Sequence, residues 1–414
     1  MRKNILYLAH RIPYPPNKGD KIRTFHEVKH LAEMHDLYLA FLVDDPADIK
    51  HVDALREFCV DLAWERIEPR WKKIQVAPQM LLGKPLSLPY FYSPRLQRAI
   101  DAWATTRKFD AVVCFSGPMA EYVFRSDALA GQGAKRIMDF CDVDSDKWGQ
   151  YAVDAKFPMN IVYGLEQKRL LAYEARVNQT FDHSVFTTDQ EVRLFRDLVP
   201  AARNLHVVGN GVDFDYFAPG AGRGEALPRP RATQRVAPTT DDSAGDLVFT
   251  GAMDYHANVD AVVWFCREIL PRIREAGIDA DFCIVGGKPT PEVQALGQIA
   301  GVQVTGFVDD IRPWYARAAV SVIPLRLARG VQNKVLEAMA MGRPVVTTRK
   351  VAEGVGAKDG DHLLVADGHK AFAGAVIDLY QDPAARRQLG EAARRFVVEN
   401  FDWRRNMEKL EKFL

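Results

Sequence analysis

Short apolar runs alternate with longer stretches of helical period along the whole chain. In the first half, runs at 4–9, 37–43, 111–115, 136–140 and 183–187 predict strands, and 21–34, 47–61 and 162–181 predict helices between them. In the second half, strands are predicted at 246–250, 281–285, 302–305, 320–324, 344–347 and 363–365, with helices at 259–270, 291–299 and 311–318. Regular strand–helix alternation is the signature of βαβ units, so each half reads as an α/β, doubly wound parallel sheet. Such sheets bind ligands at the carboxyl ends of their strands. Between the halves, 218–245 is dense in Pro, Gly, Ala, Thr and Arg and has no apolar period, which predicts an inserted loop. A last helix is predicted from Asp402 onward, with that residue as its N-cap.

A chain of 414 residues exceeds what one hydrophobic core of roughly 250–300 residues holds, so two domains are expected. The net charge of +1 provides no field for nucleic acid, and no nucleic-acid partner is expected. No apolar run approaches the roughly 18–20 residues of a membrane span, and the N-terminus reads as a strand, not a signal peptide. The five cysteines are scattered without a CxxC, so the cytoplasm is the expected compartment. One Pro-rich aromatic segment, 81–92, is either internal packing or a place for peripheral contact with the inner membrane or a lipid-linked acceptor.

The chemistry concentrates in a few places. After the apolar strand Val320-Ser321-Val322-Ile323 comes Arg329-Gly330-Val331-Gln332-Asn333-Lys334-Val335-Leu336-Glu337, then Gly342. This is strand, glycine turn, helix, glycine stop, and the free amides at the helix start suit an anion such as phosphate. Glu337 is a lone carboxylate in an apolar helix and needs a partner. Gly251 opens a loop after the strand at 246–250, and Asn258 follows it. In the first half, Gly19 begins a helix after a Pro-rich loop, with Lys18, Lys21 and Arg23 alongside, a second helix start suited to anions. The run Asp139-Phe140-Cys141-Asp142-Val143-Asp144-Ser145-Asp146 puts four carboxylates at a strand's carboxyl end. They read as a metal loop, an Asp-x-Asp motif at Asp142 and Asp144, a catalytic carboxylate at Asp142 or Asp139, or helix caps and surface charge.

The run from Arg329 to Glu337 resembles the donor-binding motif of retaining glycosyltransferases of the GT-B architecture, family 4 type. That resemblance implies two Rossmann-like domains facing a cleft, divided as 1–209 and 210–399, with the C-terminal helix 400–414 completing the first. The turn Gly209-Asn210-Gly211-Val212-Asp213 is similar to the family's interdomain turn. By the same resemblance Glu337 holds the ribose of a nucleotide-sugar. Gly330, Val331, Gln332 and Asn333 present amides to its phosphates or sugar, and Arg329 and Lys334 supply the cations. Gly19, Gly251 and Asn258 complete the donor set. The implied substrates are a nucleotide-sugar such as a UDP-sugar and a glycan or lipid-linked acceptor, with no metal and no other cofactor. Many members carry a glutamate where this chain has Gly330, which leaves the donor sugar open. The opening Pro-Tyr-Pro-Pro-Asn-Lys-Gly-Asp-Lys-Ile-Arg and the run 139–148 resemble sugar transferases associated with exosortase (PEP-CTERM) systems, implying a role in exopolysaccharide assembly. A nucleotide-sugar 2-epimerase shares the architecture, but its Thr-Glu-Arg-Pro-Glu segment is replaced here by Thr348-Arg349-Lys350-Val351-Ala352-Glu353. A nucleotide-sugar-binding protein without activity is the non-enzymatic alternative.

Overall fold

A computed structural model describes residues 1–68, 83–220, 245–328 and 330–414. The chain divides into two compact units, Met1–Asn210 with Trp403–Leu414, and Gly211–Asp402.

The first unit holds a seven-stranded sheet of β1 (Asn4–Ala9), β2 (Asp36–Val43), β3 (Asp61–Arg66), β4 (Ala111–Phe115), β5 (Lys135–Cys141), β6 (His183–Phe186) and β7 (Leu205–Val207). Their order is β3-β2-β1-β4-β5-β6-β7, and every pairing is parallel. The central strands read as nearly continuous apolar runs because helices cover both faces of the sheet. The chain order reverses between β1 and β4, and the ligand crevice of such a sheet lies at the carboxyl ends on either side of that reversal. The helix Trp403–Glu411 packs in this unit, where Trp403 stacks on His26 with ring centroids 4.3 Å apart and Glu411 meets His30 at 3.1 Å.

The second unit repeats the plan with β8 (Asp246–Thr250), β9 (Phe282–Val285), β10 (Val302–Val304), β11 (Ala318–Ile323), β12 (Val345–Thr347) and β13 (Leu364–Val365). The order is β10-β9-β8-β11-β12-β13, again all parallel, with the reversal between β8 and β11.

The expected helix over 47–61 is instead two one-turn-scale 3-10 segments, Pro46–His51 and Asp53–Phe58, and the chain then enters β3. Asp45 caps the first by accepting the Ala47 amide at 3.1 Å. The Val60 amide donates to the Leu37 carbonyl, so sheet pairing claims the end of the stretch. The aromatic segment also turns inward: Leu88 is buried, Phe91 packs edge-on to His10, and Tyr92 lies 5.2 Å from the Tyr122 ring. Its first residues, 81 and 82, and the insertion from 221 to 244 lie outside the described residues.

Candidate active site

The second unit gathers its chemistry at the β8/β11 reversal. The helix Asn333–Ala340 follows β11 and ends where Gly342 takes a left-handed turn and the Arg343 amide reaches the Ala338 carbonyl at 2.9 Å. Gln332 caps its start with extended backbone but no side-chain bond, so the first-turn amides have no cap from that side chain. Asn333 Oδ1 beside them is buried without a hydrogen-bond partner, a polar group left for something else to satisfy.

Glu337 lies one turn further on. Its Oε2 accepts a hydrogen bond from the Tyr315 hydroxyl at 3.1 Å. The same hydroxyl lies 2.7 Å from Thr250 Oγ1 and 3.2 Å from the Lys334 carbonyl. Tyr315 thus ties the helix Arg312–Arg317, the end of β8 and the donor-type helix together. Burial pushes the Glu337 carboxyl up to about 7, against the pull of the Tyr315 hydroxyl and the Lys334 ammonium.

Lys334 faces the glycine loop. Its Nζ sits 4.1 Å from the centre of the Phe249 ring and donates to Asn258 Oδ1 at 2.6 Å. Asn258 in turn donates to the Ala252 carbonyl at 2.9 Å. Burial brings the Lys334 ammonium down to about 7, opposed by Glu337. Gly251 is required by this arrangement. A Cβ there would stand 2.7 Å from Asn258 Nδ2 and 2.9 Å from Lys334 Nζ, at a φ of 151°.

Of the donor set expected from sequence, Gly251, Asn258, Lys334 and Glu337 therefore come together, with Gly330 to Asn333 leading into the same helix. Gly330 has a φ of 55°, and its carbonyl oxygen would be 2.3 Å from a Cβ on Gly354. A glutamate at 330 would have to adopt left-handed backbone, which is a physical reason for glycine at this position. Arg329 lies outside the described residues. Tyr315, Thr250 and Phe249 were not anticipated. Tyr315 reads in sequence as a core aromatic beside Trp314, and only Thr250, the residue before the glycine loop, carried a positional hint.

In the first unit, Gly19 is exposed at the start of the helix Gly19–Met34. Lys18 is exposed, but the other two cations expected to flank it for an anion are committed elsewhere. Lys21 is buried on Asp48 at 2.6 Å, and Arg23 is fully buried. Arg23 binds Asp139 through Nε at 2.9 Å, the Val208 carbonyl at 2.8 Å and Asn210 Oδ1 at 3.1 Å. Glu27 and Tyr7 join this cluster through a 2.6 Å bond, and burial with the nearby Asp139 charge raises the Glu27 carboxyl well above its usual range. Asp139 is thus a fully buried counter-ion of Arg23, not a carboxylate open to a substrate. Asp142 is different: it is only half-buried, just past β5, and its Oδ1 accepts from Thr187 Oγ1 at 3.1 Å. Cys141 between them has a φ of 65°, and this reversal separates the two carboxylates. Asp144 begins the helix Asp144–Asp154, and Asp146 accepts from Gln150. The four carboxylates do not form one cluster.

The glycine loop, the Lys334–Asn258 contact and the Glu337 carboxylate one turn into the helix lie together in the second unit. Residues 244–382 match the family model described as glycosyl transferases group 1. This segment is a group 1 glycosyl transferase domain. The chain is also similar to D-inositol 3-phosphate glycosyltransferase of Arthrobacter sp. (strain FB24), 31% identical over 215 residues, covering 49% of this chain and 48% of that protein. It is 26% identical over 257 residues to the lipopolysaccharide core biosynthesis mannosyltransferase LpcC of Rhizobium leguminosarum bv. viciae, covering 59% and 68% respectively. The chain spans about half the length of the first of these relatives. Among solved structures, sucrose-phosphate synthase from Thermosynechococcus elongatus superposes with a TM-score of 0.73 at 17% identity, covering 99% of this chain and 98% of that one. Anabaena Alr3699/HepE in complex with UDP-glucose superposes at 0.66 with 13% identity, covering 100% of both. The group 1 domain and its companion unit have the GT-B fold, two parallel-sheet α/β domains of seven and six strands.

Proposed function

We propose that this chain is a retaining glycosyltransferase that takes a sugar from a nucleoside-diphosphate donor to a glycan or lipid-linked acceptor, in the synthesis of a surface glycan or exopolysaccharide such as an exosortase-associated system requires. The observation that carries the reading is the Glu337–Tyr315–Lys334 arrangement at the carboxyl ends of β8 and β11. Glu337 is held to accept ribose hydroxyls. The amides of the helix start, Lys334 and Asn258 face the diphosphate. As the sugar–phosphate bond breaks, negative charge grows on the leaving diphosphate, and donors already in place stabilise it without reorganising. The arriving anion would also favour the charged form of Lys334 over the neutral one that burial promotes. Asp142 is the candidate acceptor-side carboxylate, and no resident metal or cofactor is invoked. Relatives that act on lipopolysaccharide core support a lipid-borne acceptor, and a UDP-glucose-bound neighbour supports UDP as the nucleotide.

Calorimetry with UDP-, GDP- and ADP-sugars tests this on wild type and Glu337→Ala. One donor should bind the wild type and lose roughly 100-fold or more in affinity in the variant, the cost of about two lost hydrogen bonds to a charged group. Absence of binding by every donor, with and without added divalent metal, would overturn the reading in favour of a protein that has lost the chemistry.

A further inference from the structure

The helix Trp403–Glu411 and the three residues after it belong to the first unit, and histidines hold them there. Along the helix Trp403, Asn406, Met407 and Leu410 are buried, the spacing of a single face. Five of the chain's ten histidines touch the segment 403–414. His26 and His30 stand four apart on the helix Gly19–Met34, so one face presents both. His26 stacks on Trp403 with the ring planes 11° apart, and His30 Nε2 lies 3.1 Å from Glu411 Oε2. His35 Nε2 lies 3.6 Å from Glu411 Oε1. His183 on β6 and His206 on β7 both pack against the Phe413 ring, at centroid distances of 4.9 and 4.2 Å.

These histidines do not respond alike to acid. His183 Nδ1 and His206 Nε2 are 3.0 Å apart, so one nitrogen donates and the other accepts with its lone pair. With both rings protonated, two N–H groups and two positive charges would face each other, and the contact could not hold. The surroundings do not offset a second charge. Arg193, Arg196, Lys409 and Lys412 line the groove beside His206 and Phe413, against the single carboxylate of Asp189 among its described lining residues. Burial lowers the pKa of His183, with Asp182 opposing and Lys135 adding, and burial and the His183 charge lower that of His206. His35 Nδ1 accepts the Lys3 amide at 3.4 Å and so is unprotonated. Burial lowers this ring too, with Glu411 opposing and Lys3, Arg2 and His30 adding. His26 tolerates charge, since an imidazolium is attracted to the face of Trp403. Protonation of His30 would strengthen its pair with Glu411 and pull the other way.

We propose that the segment 403–414 is an acid-released strap, docked while at least one ring of the His183–His206 pair is neutral and loosened from Phe413 back toward Met407 when both rings charge. A group that loses basicity on docking stabilises the docked state above its free pKa, and that contribution disappears as pH falls. Free imidazole titrates near 6.5. A second proton barred only in the docked state therefore favours release by roughly 10-fold at pH 5.5 and by almost nothing at pH 7.5. The strap needs neither donor nor acceptor and stands apart from the proposed transfer reaction.

Hydrogen exchange of the full chain at pH 7.5 and 5.5, corrected for the intrinsic pH dependence of exchange, is the test. The opening constant of the amides in 407–414 should rise roughly 10-fold at the lower pH, while the amides of β1 and β4 stay protected. His206→Phe keeps an aromatic ring beside Phe413 and removes the second charge, so its opening should be nearly the same at both pH values. Should that variant fold poorly, imidazole titration of the wild type by nuclear magnetic resonance decides, and the His183–His206 pair should show an apparent pKa below the usual 6.5. Equal opening of wild type at both pH values, an acid response that His206→Phe retains, or a pair that titrates together at the ordinary imidazole value would overturn the proposal. So would tighter protection in acid, which would show that the His30–Glu411 pair dominates.

Discussion

Removing one oxygen tests how the donor-type site is held. Tyr315→Phe keeps the buried ring and deletes only the hydroxyl that meets Thr250 Oγ1, the Lys334 carbonyl and Glu337 Oε2 at 2.7, 3.2 and 3.1 Å. No cavity larger than an oxygen results, so the cost is in hydrogen bonds. A bond to a charged group contributes about 1.5–3 kcal/mol, and stranding the buried Thr250 hydroxyl adds about 1. Some of this is regained as groups relax, so a loss of about 2–3 kcal/mol is expected, a fall of roughly 4–10 °C in the melting transition of the second unit. The pH dependence is the sharper readout. The Tyr315 hydroxyl pulls the Glu337 carboxyl down while burial holds it up near 7. Without the hydroxyl, Glu337 titrates higher and carries a proton at neutral pH, where wild type is about half ionised. A protonated carboxyl is the poorer acceptor for ribose hydroxyls. Calorimetry with the donor that wild type selects should show the largest affinity deficit of the variant just above pH 7. The deficit should shrink at higher pH, where both carboxyls are ionised, and also below about pH 6, where both are protonated. An unchanged melting temperature, or a deficit constant from pH 6 to 9, would refute the view that this hydroxyl sets the charge of Glu337.

Other perturbations follow from the same contacts. Gly251→Ala drives a methyl to within 2.7 Å of Asn258 Nδ2 and 2.9 Å of Lys334 Nζ at a φ of 151°, so donor affinity should fall severalfold in titration and stability should drop by about 2–4 kcal/mol, the clash adding to backbone strain. Asp139→Asn and Asp142→Asn should separate structure from chemistry. The first weakens the partner of a fully buried Arg23 and should cost about 3–5 kcal/mol in denaturant unfolding. The second should leave unfolding nearly unchanged and lower turnover with donor affinity intact. Glu174 is raised to about 8 by burial, and by the Asp144 and Glu191 charges, against its bonds to Ser145. The folded state therefore holds a proton that the unfolded chain releases near 4.5, and this stabilising contribution, full below pH 4.5, is lost as pH rises toward 8. Glu174→Gln should flatten the pH dependence of unfolding over that window, and equal slopes in the two proteins would show that Glu174 is ionised throughout.

The sequence made the central strands legible because a parallel sheet covered on both faces needs apolar runs, and β1, β2, β4, β5 and β6 have them. The edges of the first sheet were not legible. β3 is Asp-Leu-Ala-Trp-Glu-Arg with only Leu62 buried, and β7 has no buried residue, so neither shows an apolar run. The stretch 47–61 has helix-forming composition, yet the demand of β3 for a partner on β2 breaks it into two short 3-10 segments, a case of pairing overriding propensity.

The same distinction runs through the site. Lys334 and Glu337 stood out because charge is rare in an apolar helix, Gly251 because it follows a strand directly, and Asn258 only through the family resemblance. A residue that acts by being buried gives no such signal: Tyr315 joins three elements through one oxygen, but its sequence context is that of any core tyrosine. The acidic run at 139–146 shows the converse. Strand alternation turns Asp139 into the core, where its counter-ion is Arg23, 116 residues earlier in the chain. The left-handed Cys141 then turns the backbone before Asp142. Adjacent carboxylates therefore have opposite fates, one neutralised inside and one left near solvent. Counting charges in the run cannot reveal this, because what distinguishes them is a tertiary partner and one backbone angle. The experiment that exploits it is the Asp139 and Asp142 pair of variants. Only a fold that has paired one carboxylate with Arg23 and left the other near solvent predicts that one substitution destabilises the protein while its neighbour slows it.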